Sequence, residues 1–102
     1  MPDAPVRPTV LITYPLPEEA ARMARSRADV DMHTQATSLS RGDLIARLKG
    51  RHGLICLITD VIDDALLTAC PDLRVVSNVA VGYNNVDVPA ATRRGVDRKS
   101  VV

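Results

Sequence analysis

Apolar positions along the chain fall in short blocks that alternate with amphipathic stretches. "TVLITY" (9–14) is β-branched and continuously apolar, the pattern of a strand covered on both faces. In "PLPEEAARMARSR" Pro17 suits a first helical turn, Glu18 and Glu19 favour the positive dipole end, and Arg25 and Arg27 favour the last turn. "ADVDMHT" alternates apolar and polar residues and predicts a short edge strand. A helix is predicted from Ser40 to Lys49, with Ser40 as N-cap, Asp43 in the third position, Leu44, Ile45 and Leu48 as its apolar stripe, and Gly50 as its stop. "GLICLIT" (53–59) reads as the most buried strand. Thr59 or Asp60 begins a turn into a helix holding Ala65, Leu66 and Leu67, which Pro71 ends. "LRVVSNV" predicts the fourth strand. "DVPAATRRG" predicts a helix with Asp87 as cap, Pro89 in the first turn and Gly95 as stop.

Four strands alternating with helices imply an α/β fold, a doubly wound parallel sheet. Val96 stands where a fifth strand would open, but "DRKSVV" carries no strand pattern. The sheet is therefore expected to be incomplete, with about four strands.

Composition narrows the function classes. The chain has 102 residues, enough for one modest domain, and 46% hydrophobic with 25% charged residues argues against disorder. The apolar runs are strand-sized, and the N-terminal stretch shows no basic region followed by an apolar core, so no membrane partner and a cytoplasmic location are expected. Net charge is +1, with two tyrosines, no Phe and no Trp, so nucleic acid is not an expected partner. Cys56 and Cys70 lack CxxC or metal-ligand spacing and read as reduced thiols; no metal is expected.

In open parallel sheets ligands bind beyond the carboxyl ends of the strands. Those ends are Thr13-Tyr14-Pro15, the loop after Val30, Ile58-Thr59-Asp60, and Val81-Gly82 within "NVAVGYNNVD". Gly82 lets backbone approach a ligand, adjacent N–H groups can cradle an anion, and the helix after Asp87 adds a favourable dipole. The alternative at this point is a plain strand-to-helix turn in which Gly82 and an Asn supply positive φ. Asp60, Asp63 and Asp64 are explained by capping and first-turn dipole contacts. His33 and His52 read as surface or loop residues, with no nucleophile or carboxylate partner in the pattern. No G-x-G-x-x-G, Walker A or G-x-S-x-G motif occurs. A phosphoacceptor receiver, which shares this alternation, needs acidic residues after the first strand, where Thr13-Tyr14-Pro15 stands.

"GLICLITDVIDDALLTACPDLRVVSNVAVGYNNVDVPAATRRGV" resembles the N-terminal part of D-isomer-specific 2-hydroxyacid dehydrogenases, most of all the glyoxylate and hydroxypyruvate reductases. "LICLITD" and "NVAVGYNNVDVPAATRRGV" carry the resemblance most specifically. It implies a flavodoxin-like substrate domain, interrupted in such enzymes by a Rossmann coenzyme domain that this chain lacks. It implies that the Val81 and Gly82 amides hold a substrate carboxylate, that Ile58 lines the pocket, and that Asn84 and Asn85 shape the loop. The implied reaction is hydride transfer from NADH or NADPH to a small 2-oxo acid, reversibly giving the 2-hydroxy acid, in an intact homodimeric parent. The catalytic Arg, Glu and His of the family, and its coenzyme fingerprint, match no residue here. This chain alone is therefore expected to bind no coenzyme and to be inactive.

Residues 1–96 are read as the N-terminal part of that substrate domain and residues 97–102 as a foreign tail. The DNA string GATCGGAAGAGCGTCGTGTAG encodes Asp-Arg-Lys-Ser-Val-Val and a stop, and matches a widely used sequencing adapter. The alternative is a freestanding module that binds a small carboxylate, or a partner, without catalysis.

Overall fold

The four apolar runs form parallel strands: β1 (Thr9–Ile12), β2 (Asp29–Met32), β3 (Gly53–Leu57) and β4 (Val75–Val79). They alternate with α1 (Glu18–Arg27), α2 (Arg41–Leu48), α3 (Asp64–Ala69) and α4 (Val88–Arg93). This computed structural model describes residues 8–35, 39–57, 59–79 and 85–100. Val10 pairs with Val30 on one side and Gly53 on the other, and Gly53 to Leu57 pair with Val75 to Val79. A fifth strand, β5 (Asp97–Ser100), closes the far edge. The strand order β2-β1-β3-β4-β5 is the flavodoxin-like winding, and it reverses direction between β1 and β3.

That fifth strand corrects one expectation. In β5, Asp97 lies opposite Val75 and Ser100 opposite Asn78. The Asp97 N–H donates to the Arg74 carbonyl at 2.8 Å, which starts the ladder. Ladder bonds are main-chain bonds, and an edge strand accepts charged side chains, so an apolar pattern is not required there.

Local signals set the helix ends. Ser40 accepts from the Asp43 N–H at 3.2 Å and Asp87 from the Ala90 N–H at 3.1 Å, both as predicted. Gly50 and Gly95 follow α2 and α4 with φ of 78° and 68°, a region that disfavours residues with a Cβ. The cap of α3 is Asp63, which accepts from the Leu66 N–H at 3.0 Å; Thr59 and Asp60 lie upstream of it.

One face of the sheet carries the core. Leu11, Leu54, Cys56 and Val76 pack with Leu44 and Leu48 of α2, Leu66 and Leu67 of α3, and Ala90 and Ala91 of α4. Each large aliphatic side chain buried there contributes about 1.5–3 kcal/mol. On the other face, Ile55 and Ser77 line an open apolar recess with Ala20, Met23 and Ala24 of α1.

Both cysteines are buried and free. Burial, with the nearby Asp60 charge adding to it, pushes the Cys56 thiol up to about 12. Burial also raises Cys70. His33, read as a surface or loop residue, is instead 8% exposed and packs beside Arg47. The guanidinium can only donate, so His33 Nδ1 accepts at 3.3 Å. Arg47 also donates to Asp31 at 2.7 Å and Arg51 to Asp31 at 3.2 Å. His52 stays in its loop, where Nδ1 accepts from the Thr9 N–H at 3.1 Å.

This packing has two measurable consequences. Neither Cys56 nor Cys70 should react with a maleimide in the folded chain, because the thiolate is the nucleophile. Full labelling should appear only in denaturant, and mass spectrometry of the native chain would expose the error if a label were found. The Arg47 hydrogen bond, aided by both arginine charges, lowers the Asp31 pKa despite partial burial. A depressed carboxylate stabilises the fold above its unfolded pKa and loses that contribution as pH falls through the folded value. Asp31→Asn should cost about 1 kcal/mol or less at neutral pH, given its solvent screening. In urea melts the gap should start to close near about pH 4 and be gone well below it. A gap unchanged in strong acid contradicts this assignment.

Candidate functional site

The carboxyl ends of β1, β3 and β4 are joined by buried polar side chains. Thr13, Asp60, Asn78 and Asn85 are 4%, 6%, 0% and 9% exposed, respectively. Thr13 follows β1 directly, and its N–H donates to the Ile55 carbonyl, so the backbone points its hydroxyl across the β1–β3 reversal. That hydroxyl donates to Asp60 Oδ2 at 2.6 Å, and the Leu57 N–H donates to the same oxygen at 3.0 Å. Asp60 thus closes its own turn and ties it to β1. Its expected capping role falls to Asp63, three residues on, where the backbone turns into α3.

Asn78 sits inside β4 among apolar neighbours, and Asn85 precedes α4. Asn78 Nδ2 donates to Asn85 Oδ1 at 2.8 Å. Asn85 Nδ2 reaches the Asp60 carbonyl at 2.7 Å, the Leu57 carbonyl at 3.2 Å and Asn78 Oδ1 at 3.2 Å. The backbone repeats the link: the Ile62 N–H donates to the Asn85 carbonyl, and the Asp87 N–H to the Ile62 carbonyl, both at 2.8 Å. Cys56 Sγ completes the cluster, 3.5 Å from Asn78 Oδ1. No buried side-chain N or O among the described residues lacks a partner.

Ile58, Val81 and Gly82, the residues implied to bind substrate, lie outside the described residues, as does Asn84. Their described neighbours are Leu57 and Thr59 on one side and Val79 and Asn85 on the other. The polar cluster therefore fixes the chain on both sides of them. Of the residues that the resemblance implies here, only Asn85 lies among the described ones; Thr13 and Asp60 were named from sequence as strand ends, without their mutual bond. Asn78 was not singled out. The available signal was an Asn inside the apolar run "VVSNV", since a buried amide must find partners.

Around this edge the remaining acids are engaged. Asp63 accepts from Arg41 at 2.6 Å, a hydrogen bond that, with the Leu66 amide, holds its carboxyl below the usual range. Asp64 accepts from Arg94 at 3.2 Å. A small recess of about 120 Å³ opens between Leu39, Arg41, Leu44, Thr59, Asp60 and Val61. No three His, Cys, Asp or Glu residues among those described converge to hold a metal ion. The N-termini of α2, α3 and α4 are capped by the side chains of Ser40, Asp63 and Asp87. No helix of the described residues is long and apolar enough to cross a membrane.

Comparison with known proteins places this geometry. Residues 10–98 match the family model described as the D-isomer specific 2-hydroxyacid dehydrogenase, catalytic domain. The chain is 36% identical over 91 residues to a glyoxylate reductase of Thermofilum pendens, covering 88% of this chain and 27% of the relative. It superposes on a solved protein of Thermus thermophilus with a TM-score of 0.82 at 33% identity, covering 88% of this chain and 29% of that one. At 22% identity it shares the fold, with a TM-score of 0.69, of an NADPH-dependent glyoxylate/hydroxypyruvate reductase from Sinorhizobium meliloti solved with NADP and malonate; 93% of this chain and 28% of that one are covered. The chain thus spans about a quarter of the length of the curated relatives it matches. With its parallel winding and the matched span of residues 10–98, it belongs to the D-isomer-specific 2-hydroxyacid dehydrogenase family.

Proposed function

We propose that this chain is the N-terminal part of the substrate domain of an NAD(P)H-dependent reductase for a small 2-oxo acid, of the glyoxylate/hydroxypyruvate type. The observation that carries the reading is the buried polar cluster. It anchors the backbone at Leu57 and Asp60 beside Ile58, and at Asn78 and Asn85 on either side of Val81 and Gly82. In this reading the amides of Val81 and Gly82 receive the carboxylate, and Ile58 forms the apolar wall beside it. Main-chain amides bind an anion without a cation of their own when their direction is fixed, because no dipole must then reorient. The names of the relatives support the substrate class. The malonate and NADP of the Sinorhizobium enzyme support a small carboxylate and a nicotinamide coenzyme.

NADH or NADPH belongs, in this proposal, to the whole protein, which we read as a cytoplasmic homodimer. The contribution assigned to this chain is to bind and orient the acid. Residues 97–102 are read as adapter-derived. The pairing of Asp97 to Ser100 with β4 is compatible with that reading, because β5 is held by main-chain bonds.

The test is to sequence the source DNA past the codon for Val96 and express whatever reading frame is found. The expected frame continues into a glycine fingerprint and later Arg, Glu and His residues. Its product should oxidise NADH or NADPH when glyoxylate or hydroxypyruvate is added, while the 102-residue chain should turn over neither. A genomic stop after Val102 would replace the enzyme with a freestanding carboxylate-binding module.

A further inference from the structure

Four polar side chains are buried where apolar ones would fill the space without losing hydration. Their bonds have a common direction. None closes a regular ladder, and most run between different elements: β1 to the β3–α3 turn, that turn to the segment before α4, and that segment back to β4. Asn85 is the shared member. Its Oδ1 accepts one bond and its Nδ2 faces three acceptors, two of them main-chain carbonyls, so the amide orientation is fixed by its partners.

We infer that Asn85 is a positioning residue whose carboxamide, with Asn78, Asp60 and Thr13, locks the ends of β1, β3 and β4 into one platform that orients the main chain for carboxylate binding. This inference rests on the carboxylate reading above and adds the residues that act through the backbone. The Thr13–Asp60 bond spans the β1–β3 reversal, the place where a doubly wound sheet ordinarily opens a ligand crevice. The acid is assigned to the β3–β4 end, beside the turns that Asn85 joins. The Asn85 bonds to Leu57 and Asp60 set the separation of the two turns at that end.

The experiment uses the isotopically labelled 102-residue chain with oxalate as the probe, read by amide chemical shifts and native-state amide exchange. Variants are Asn85→Ala, Thr13→Val and, as a core control outside the cluster, Leu67→Val. Asn85→Ala should weaken oxalate binding about tenfold. It should also accelerate exchange of the Leu57, Ile62 and Asp87 amides about tenfold beyond that of Leu54 and Val76. Thr13→Val should act in the same sense by about threefold. Leu67→Val should raise exchange across the sheet while leaving oxalate affinity within about twofold. Oxalate affinity unchanged in folded Asn85→Ala overturns the positioning role and leaves the carboxylate reading standing. So does a loss matched by the core control. Should Asn85→Ala not fold, unchanged affinity in Thr13→Val overturns it instead. No oxalate response from the unaltered chain removes the carboxylate reading and this inference with it.

Discussion

The bond from the Asn85 carboxamide to the Asp60 carbonyl, 2.7 Å long, sits where several demands of this fold meet. A parallel strand ends by leaving the ladder, and its last carbonyls then need partners that no neighbouring strand supplies. At the ends of β3 and β4 the two turns answer each other, through Asn85 and through the reciprocal bonds between Ile62, Asn85 and Asp87. Remove the carboxamide and the Asp60 carbonyl loses a buried donor, at a cost of about 1–3 kcal/mol, while the Leu57 carbonyl keeps the Asp60 N–H.

Around that edge the fold rests on ordinary means. Leu11, Leu54, Cys56 and Val76 form the sheet's core face, and the short helices are closed by side-chain caps and, after α2 and α4, by glycines in the left-handed region. The opposite end of the sheet is tied by His52, which links Thr9 of β1 to the approach to β4 through its ring and its carbonyl. The two histidines and two cysteines are thus structural: one histidine braces strands, the other abuts Arg47, and both thiols are buried.

Membership of a dehydrogenase family and the geometry of this chain carry different information. The family gives a reaction class for proteins about four times as long as the matched span. The geometry of this chain adds a desolvated, fully hydrogen-bonded polar frame at the strand ends. Fixed dipoles are useful to an acid substrate because they need not reorganise when it binds.

Four strands, four helices, two of the three side-chain caps and both glycine stops were legible in the sequence, because each depends on neighbours within a few positions. Val81 and Gly82 were legible as a glycine-marked strand end suited to an anion, their substrate role and that of Ile58 only by resemblance, and all three lie outside the described residues. What the chain order could not disclose was set by partners distant along it. Asp60 looked like a cap until Thr13, 47 positions away, supplied a hydroxyl to it. Asn78 looked like a blemish in an apolar strand until Asn85 met it across a turn. β5 formed despite its polar sequence, since the main chain of β4 was enough to pair with it. Periodicity and capping are local and speak through side-chain order. The satisfaction of buried polar groups is a three-dimensional account, and only the tertiary structure brings its partners together.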